Sequence, residues 1–269
     1  HLAAKAAERA LAAAGVAPEK LDIIILGTSS PDRNYPSDAC SVQAAIGAVN
    51  AVAFDISAAC AGFIFAMNIV EGFFKAGIYK TALIIGAETL SKVTDWSDRG
   101  TCVLFGDGAG AAVLKAEETG IIDMMMGADG TKGDVLACTS RTVGNFLTGT
   151  KPELGFMTMD GQEVFKFAVR KVPESVMELL QRTGTKKEDI KYYVLHQANE
   201  RIIEAAARRL KEPMEKFPMT IGQFGNTSTA SIPLLLDDMI QKDMLKRGDK
   251  IIMSGFGAGM TWGAVLMEW

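Results

Sequence analysis

Apolar and polar residues along the chain switch repeatedly between helical and strand-like periods, and each switch predicts an element. The opening HLAAKAAERALAAAG carries Lys5, Glu8 and Arg9 at helical spacing and ends on Gly15, a natural helix C-terminus. After a turn at Pro18, LDIIILGTSS is a short continuous apolar run, the signature of a strand buried on both faces. A Pro/Asp/Asn loop, SSPDRNYPSD, leads to a predicted helix over 39–46. A buried strand is predicted over 52–56, then a small-residue turn (Ser57-Ala58-Ala59), then a helix entered at Cys60. Ala61, Phe65, Asn68 and Gly72 share one face of that helix, and Phe63, Met67 and Val70 share another. A helix apolar nearly all round belongs inside a large core. TALIIGAE reads as another buried strand and SKVTDWSDRG as a surface loop. TCVLFGDGAGAAVLKA is predicted to form two strands around a glycine-rich turn. Its FGDGAG lacks the GK[ST] ending of a phosphate loop, and no long helix follows.

Residues 120–159 are irregular and rich in Met, Gly and Thr, which predicts a crossover with a loop-rich insertion. A helix follows over 162–183, with Pro173 kinking or interrupting it. IKYYVLHQAN is a buried strand with His196 at its carboxyl end, and 199–210 is an amphipathic helix. IGQFGNTSTAS is predicted as a mobile loop and 231–245 as a helix, and the chain closes on two strands around a second glycine-rich turn. The halves repeat one another. Helix, turn and LDIIILGTSS answer helix, turn and IKYYVLHQAN, TALIIGAE answers KIIMSGFG, and FGDGAGAAVLK answers GAGMTWGAVLM. Thr28 to Cys60 is 32 positions and His196 to Asn226 is 30. The reading is a duplicated α/β fold with mostly parallel sheets, divided into residues 1–122 and 123–269.

Composition narrows the function classes. With 269 residues, 48% of them hydrophobic, the chain can bury a large core, and its net charge of −4 argues against a general nucleic-acid binder. Cys40, Cys60, Cys102 and Cys138 show no paired spacing, and with only two histidines a zinc site is not expected. Reduced thiols fit a cytoplasmic protein. The longest uncharged apolar run, 56–70, falls short of the ~20 residues of a membrane span, and the N-terminal segment reads as a helix of the fold rather than a signal peptide.

Three residues carry candidate chemistry. Cys60 at a helix entry sits on unpaired backbone N–H groups at the positive end of the helix dipole, which predicts a lowered thiol pKa and a site for an oxyanion. Against that, a lone cysteine commonly just packs. His196 is the only internal histidine and Asn226 lies in a Gly-Asn-Thr-Ser turn; each has an ordinary structural reading, as a satisfied core histidine and as turn chemistry. In a duplicated α/β fold all three lie at strand ends or helix entries, the edge where ligands bind.

DISAACAGF around Cys60, HQANERI around His196 and FGNTSTASIP around Asn226 resemble the β-ketoacyl-acyl-carrier-protein synthase III family. DRGTCVLFGDGAGAAVL and GFGAGMTWGAVL fit the same family, so the likeness covers essentially the whole chain. It implies a thiolase fold of two similar halves in five layers, αβαβα, and a homodimer. The chain starts at the family's first helix: its first strand and the tryptophan- and arginine-bearing segment that helps hold the coenzyme A nucleotide have no counterpart in these residues.

The resemblance implies that Cys60 is the nucleophile and that His196 and Asn226 donate hydrogen bonds to a malonyl thioester. The backbone N–H groups of Cys60 and Ala258 would form the oxyanion hole. Phe105, Met157 and Tyr35 match positions lining the acyl pocket, with Tyr35 reaching over from the partner subunit. Arg99 matches a nucleotide contact, and Gly161, Phe165 and Asn199 match coenzyme A contacts. Lys166, Arg201, Arg208 and Arg209 match the surface that docks the acidic carrier protein. The implied substrates are an acyl-CoA primer and malonyl-carrier protein, with no cofactor, metal, nucleic acid or membrane. Other readings stay open beside this initiating condensing enzyme: a starter-unit synthase of secondary metabolism, a cysteine-dependent acyl-thioester hydrolase, since Cys, His and Asn also form the papain-type set, or a non-catalytic acyl-CoA-binding protein.

Overall fold

In the computed structural model, which describes residues 1–269, the first half follows its apolar pattern closely. Helix α1 (Leu2–Ala14) stops at Gly15, whose φ of 62° is a left-handed conformation that glycine adopts without strain. The run IIILG becomes β1 (Ile23–Gly27), buried at every position. Then come α2 (Asp38–Ile46), β2 (Val52–Ile56), α3 (Gly62–Lys75), β3 (Thr81–Glu88) and β4 (Gly108–Lys115). β1 lies between β2 and β3, parallel to both, and β4 closes the sheet antiparallel to β3.

The second half contains β5 (Ile121–Ala128), a small ribbon of β6 (Leu136–Cys138) and β7 (Met157–Met159), α4 (Gly161–Thr183), β8 (Ile190–Leu195), α5 (Glu200–Leu210), the one-turn α6 (Ile221–Phe224), α7 (Ser231–Gln241), β9 (Lys250–Gly257) and β10 (Thr261–Glu268). Its sheet runs β5-β10-β9-β8. The unit β1-β3-β4 recurs as β8-β9-β10, a parallel pair followed by an antiparallel strand. Both sheets are therefore mixed: the parallel core expected from the apolar runs is present, and each sheet ends on antiparallel strands.

Strand periodicity sorts the side chains into layers. Ile24 and Leu26 face α1 and α2, while Ile23 and Ile25 face the central layer of α3 and α7. Val194, Met253 and Val265 meet that same central layer from the second sheet, and Tyr193, Leu195 and Ile252 face α4 and α5 on the outside. The order is helix, sheet, helix, sheet, helix. Sheets covered on both faces explain why their strands read as unbroken apolar runs.

Several elements depart from the sequence reading. The 101–105 segment is a series of turns, not a strand, and joins the fold through a single bridge from Phe105 to Asn226. β2 is an edge strand with Val52 49% exposed, not a buried one. β5 emerges from the stretch read as irregular. It pairs with β10 along nearly its whole length, and Gly127 leaves the space that the Trp262 indole fills. Methionines on a half-exposed edge strand give little periodic signal. Pro173 neither interrupts nor ends α4. A proline at 173 withholds the N–H that would bond the Val169 carbonyl, and Arg209 donates its Nη1–H to that carbonyl at 2.7 Å. The stretch expected to be mobile is fixed: Asn226 through Ser231 are all buried. α7 ends at Gln241, short of 245.

Candidate active site

β2 delivers the chain to a tight elbow. Ala59 takes φ 46°, a left-handed conformation rare for a residue with a β-carbon, and a 3₁₀ turn over Ala59–Ala61 leads into α3 at Gly62. Cys60 thus stands two residues before the helix proper, with its thiol buried. Small residues make room for the elbow. A β-carbon at Gly257 would lie 2.5 Å from the Cys60 nitrogen, and one at Gly255 would lie 3.2 Å from the Cys60 carbonyl oxygen. The expectation of a lowered thiol pKa is overturned. Burial pushes the Cys60 thiol up to about 12, the Ser228 hydroxyl beside it pulls the other way, and the negative charge of Glu88 adds to the rise. Desolvation is the largest influence on the resting thiol and outweighs the groups that favour its anion.

The turn after β9 lies against this elbow. Thr261 Oγ1 is 3.0 Å from the Ala58 carbonyl oxygen and 3.2 Å from that of Ala258. The resemblance expects an oxyanion hole at the amides of Cys60 and Ala258, and neither N–H is spent on another backbone group. The closeness of Gly257 yields a prediction: Gly257→Ala drives a methyl into the Cys60 amide, displaces the pair, and lowers acyl transfer about 100-fold or more. Steady-state kinetics on the folded variant, checked by circular dichroism, measures this.

Asn226 arrives from the turn between α6 and α7. Its backbone is clamped by the 104–106 segment, with its N–H donating to the Leu104 carbonyl at 2.9 Å and its carbonyl accepting from Gly106 N–H at 3.0 Å. Its side-chain Oδ1 accepts from Ser228 N–H at 2.8 Å. That bond fixes which way the amide points and leaves the NH₂ free as a donor. Thr229 Oγ1 lies 2.7 Å from the Ala59 carbonyl oxygen, so the Asn226 turn is tied to the Cys60 elbow.

His196 follows β8 directly, and its N–H donates to the Ser254 carbonyl at 2.8 Å. It is 2% exposed, with its ring edge-on to Phe256 at 5.4 Å. Nδ1 sits 2.6 Å from Ser231 Oγ. Ser231 Oγ accepts from Gln197 N–H, so its own hydrogen is free for Nδ1. With the Ser231 hydroxyl donating to Nδ1, the ring proton sits on Nε2. Burial lowers the His196 pKa to about 3, so the imidazole is neutral at physiological pH. β9 thus has Cys60 against Gly255 and Gly257, and His196 against Ser254 and Phe256.

Two family models cover most of the chain: 3-oxoacyl-[acyl-carrier-protein] synthase III over residues 54–130, and the C-terminal model of the same family over 180–269. The chain is 51% identical to the β-ketoacyl-[acyl-carrier-protein] synthase III of Clostridium acetobutylicum, over 100% of this chain and 83% of that protein. The chain belongs to the 3-oxoacyl-[acyl-carrier-protein] synthase III family. Among solved structures it resembles the synthase III of Aquifex aeolicus VF5, with a TM-score of 0.91 and 45% identity over 99% of this chain and 83% of that one. A priming β-ketosynthase of the R1128 polyketide pathway is also similar, with a TM-score of 0.89 and 35% identity over 99% and 80%. The fold is thiolase-like, and the synthase III family identifies an acyltransferase, the initiating condensing enzyme of fatty acid biosynthesis. The papain-type reading falls with that membership.

The outlying residues matched to the synthase III family take varied positions. Phe105 adjoins Asn226 through their bridge, and Met157 is buried, its N–H bonded to the Val93 carbonyl. Tyr35 is 85% exposed. Arg99 is exposed on the 93–100 loop and forms no ion pair. Gly161 opens α4, with Phe165 exposed one turn on. Asn199 caps α5, its side chain accepting from Arg201 N–H at 2.9 Å, which leaves its NH₂ available. Lys166 pairs with Glu163 at 2.7 Å and Arg208 with Glu204 at 3.6 Å, while Arg209 is held by the Val169 carbonyl. Sequence reasoning missed Ser231, Ser228 and Glu88. The last had a signal: an acid ending the otherwise apolar TALIIGAE.

Proposed function

We propose that Cys60, His196 and Asn226 perform a decarboxylative Claisen condensation between an acyl-CoA and malonyl-carrier protein. The pair of free amides on Cys60 and Ala258 is the observation that carries this reading. The Cys60 sulfur attacks the acyl-CoA carbonyl, the oxyanion rests between those amides, and the carbon–sulfur bond to coenzyme A breaks. The thiol proton leaves with coenzyme A. The malonyl thioester carbonyl then accepts from Asn226 NH₂ and His196 Nε2–H. As the bond to the carboxylate breaks, carbon dioxide departs and its electron pair enters the enolate held by these donors. The enolate carbon attacks the acyl-Cys60 carbonyl, and Cys60 leaves as a thiolate that regains a proton. A neutral imidazole suits this role, since it donates without a buried charge to desolvate. The scheme uses no cofactor: the substrates and these side chains account for each bond. Intact-mass spectrometry after mixing with a panel of straight and branched acyl-CoAs tests it. A single adduct on Cys60 is expected, and its preference reports the primer. Steady release of free acid without a malonyl partner would favour a hydrolase.

The same reading extends to partners and place. A homodimer is supported by the open edge of β2 and by exposed Tyr35, Trp96 and Phe146, and light scattering on the purified protein measures it. Cytoplasmic residence is supported by four unpaired cysteines; no helix is long and apolar enough to cross a membrane. A division near 122/123 is supported by one sheet drawn from 23–115 and another from 121–268, the sheets themselves parting two residues earlier, ahead of β5.

Docking of an acidic carrier to a chain of net charge −4 needs a local basic patch. α5 offers one. It buries Ile202, Ile203, Ala206, Ala207 and Leu210 and turns Arg201 and Arg208 to solvent, beginning close to His196. Arg201 has no ion-pair partner, and Arg208 has only an exposed one. Single surface charges contribute weakly. Arg201→Glu with Arg208→Glu is therefore expected to raise KM for malonyl-carrier protein about 10-fold at low salt, with a smaller effect at high salt. Acylation by free acyl-CoA should stay near wild type. A double variant with an unaltered KM at low salt would remove α5 from the docking surface.

A further inference from the structure

Glu88 ends β3 with its side chain 2% exposed, and no Lys, Arg or His pairs with it. Its carboxylate is instead surrounded by donors from both halves of the fold. Oε2 accepts from Ser29 N–H at 3.0 Å, Ser30 Oγ at 2.6 Å and Thr28 Oγ1 at 3.3 Å, all in the loop after β1. Oε1 accepts from Ser228 Oγ at 2.9 Å and lies 3.0 Å from Thr229 Oγ1, both in the Asn226 turn. The direction of the first set is fixed. Thr28 Oγ1 already accepts from Ser30 N–H, and Ser30 Oγ from Thr89 N–H, so their hydrogens point at Glu88. Ser228 and Thr229 also reach the elbow: one hydroxyl lies beside the Cys60 thiol and the other meets the Ala59 carbonyl. Ser228 itself holds a left-handed φ of 50°, and its N–H orients Asn226 Oδ1. Gly86, two residues before Glu88, lets this turn lie on β3, since a β-carbon there would fall 2.3 Å from the Thr229 carbonyl oxygen.

We propose that Glu88 is a positioning residue for the condensation, one buried carboxylate that holds the Asn226 turn of the second half in register with the Cys60 elbow of the first. A hydrophobic end to β3 would take this acceptor from Ser29 N–H and the hydroxyls of Thr28, Ser30 and Ser228 at the place where the halves must meet within tenths of an ångström. A charged acceptor binds all of them, and charge-assisted bonds of this kind are stronger than neutral ones. The same charge acts on Cys60. Hydroxyls and one amide face Glu88 from the β1 loop and the Asn226 turn, and the Cys60 thiol faces it from the elbow, so the thiol is the titratable group that feels it.

The inference rests on Cys60 as nucleophile, and its test keeps the two apart. Glu88→Gln and Glu88→Asp are compared with wild type in condensation kinetics and in the pH dependence of Cys60 alkylation by iodoacetamide, read by intact mass. Glu88→Gln removes the charge and one acceptor. Its kcat is expected to fall about 10- to 100-fold with KM for acyl-CoA little changed, and its alkylation midpoint to move to lower pH, because a negative neighbour that held the thiol protonated is gone. Glu88→Asp keeps the charge but is one methylene too short to span both loops. It should lose kcat while its alkylation midpoint stays near wild type. Glu88→Gln with wild-type kcat, or with lowered kcat and an unmoved alkylation midpoint, overturns the proposal. If Glu88→Gln does not fold, Glu88→Asp decides: retained kcat overturns the assignment and reduced kcat with an unmoved midpoint supports it. Should wild-type protein fail to acylate at all, the nucleophile reading falls, while the alkylation midpoints still report on Glu88.

Discussion

Cys60→Ser is expected to abolish formation of the acyl-enzyme on incubation with acyl-CoA and to lower condensation by about three orders of magnitude or more. The substitution is nearly isosteric, so the buried elbow, with Ala59 left-handed and Gly257 against the Cys60 amide, should persist. What changes is the nucleophile. A serine hydroxyl is harder to deprotonate than a thiol, and His196 Nδ1 is already engaged by Ser231 Oγ. The thiol is itself held up at about 12 by burial, so on the proposed mechanism even the wild-type sulfur loses its proton in the course of attack. Thermal melting within a few degrees of wild type, together with loss of the adduct in intact-mass spectra, is the expected pair of results. An adduct that persisted in Cys60→Ser would move the nucleophile elsewhere.

His196→Ala and Asn226→Ala should each cost about 100- to 1,000-fold in malonyl decarboxylation and condensation, and much less in acylation of Cys60. On the proposed mechanism each supplies one neutral donor to the developing enolate, and their side chains are held from behind: Asn226 Oδ1 by Ser228 N–H, His196 Nδ1 by Ser231 Oγ. The double variant should lose less than the product of the two single losses, because both donors serve one oxygen. Release of labelled carbon dioxide from malonyl-carrier protein, followed separately from adduct formation, resolves the two steps. Either single variant condensing near the wild-type rate would reassign that residue. Asn226→Asp adds a further arm: it keeps the acceptor for Ser228 N–H but replaces the donor with an anion facing an enolate, and should be at least as damaging as alanine.

Most of the scaffold was written in local pattern. The runs LDIIILG, TALIIGAE and KIIMSGFG became the buried strands β1, β3 and β9, because a strand covered on both faces needs apolar residues at every position. Gly15 ended α1 where a left-handed residue was required. The motifs around Cys60, His196 and Asn226 were legible as candidates because each combines a reactive side chain with a strand end or a tight turn. Elements whose partners lie far off in sequence were not. β5 is a methionine-rich edge strand whose stability comes from pairing with β10 some 140 residues away. The Asn226 turn looked mobile from its small polar residues, yet those hydroxyls are buried against Glu88 and the Ala59 carbonyl.

The sequence by itself determined the alternation of elements, their repeat in two halves and which side chains are candidates for the chemistry, since these depend on residue type and spacing alone. The tertiary structure decided what those groups are worth chemically. A helix entry predicts an acidified thiol, but closing two sheets over Cys60 removes water from it, and desolvation raises its proton affinity beyond what the helix entry offsets. The same closure leaves the His196 imidazole neutral, and only packing reveals that Ser231 engages its Nδ1 and that Ser228 N–H holds Asn226 Oδ1. Arg209 reads as one more surface charge until α4 and α5 meet and the carbonyl opposite Pro173 claims it. Local pattern fixes which groups are available; burial and hydrogen-bond partners, which arise when distant segments meet, fix their protonation and direction.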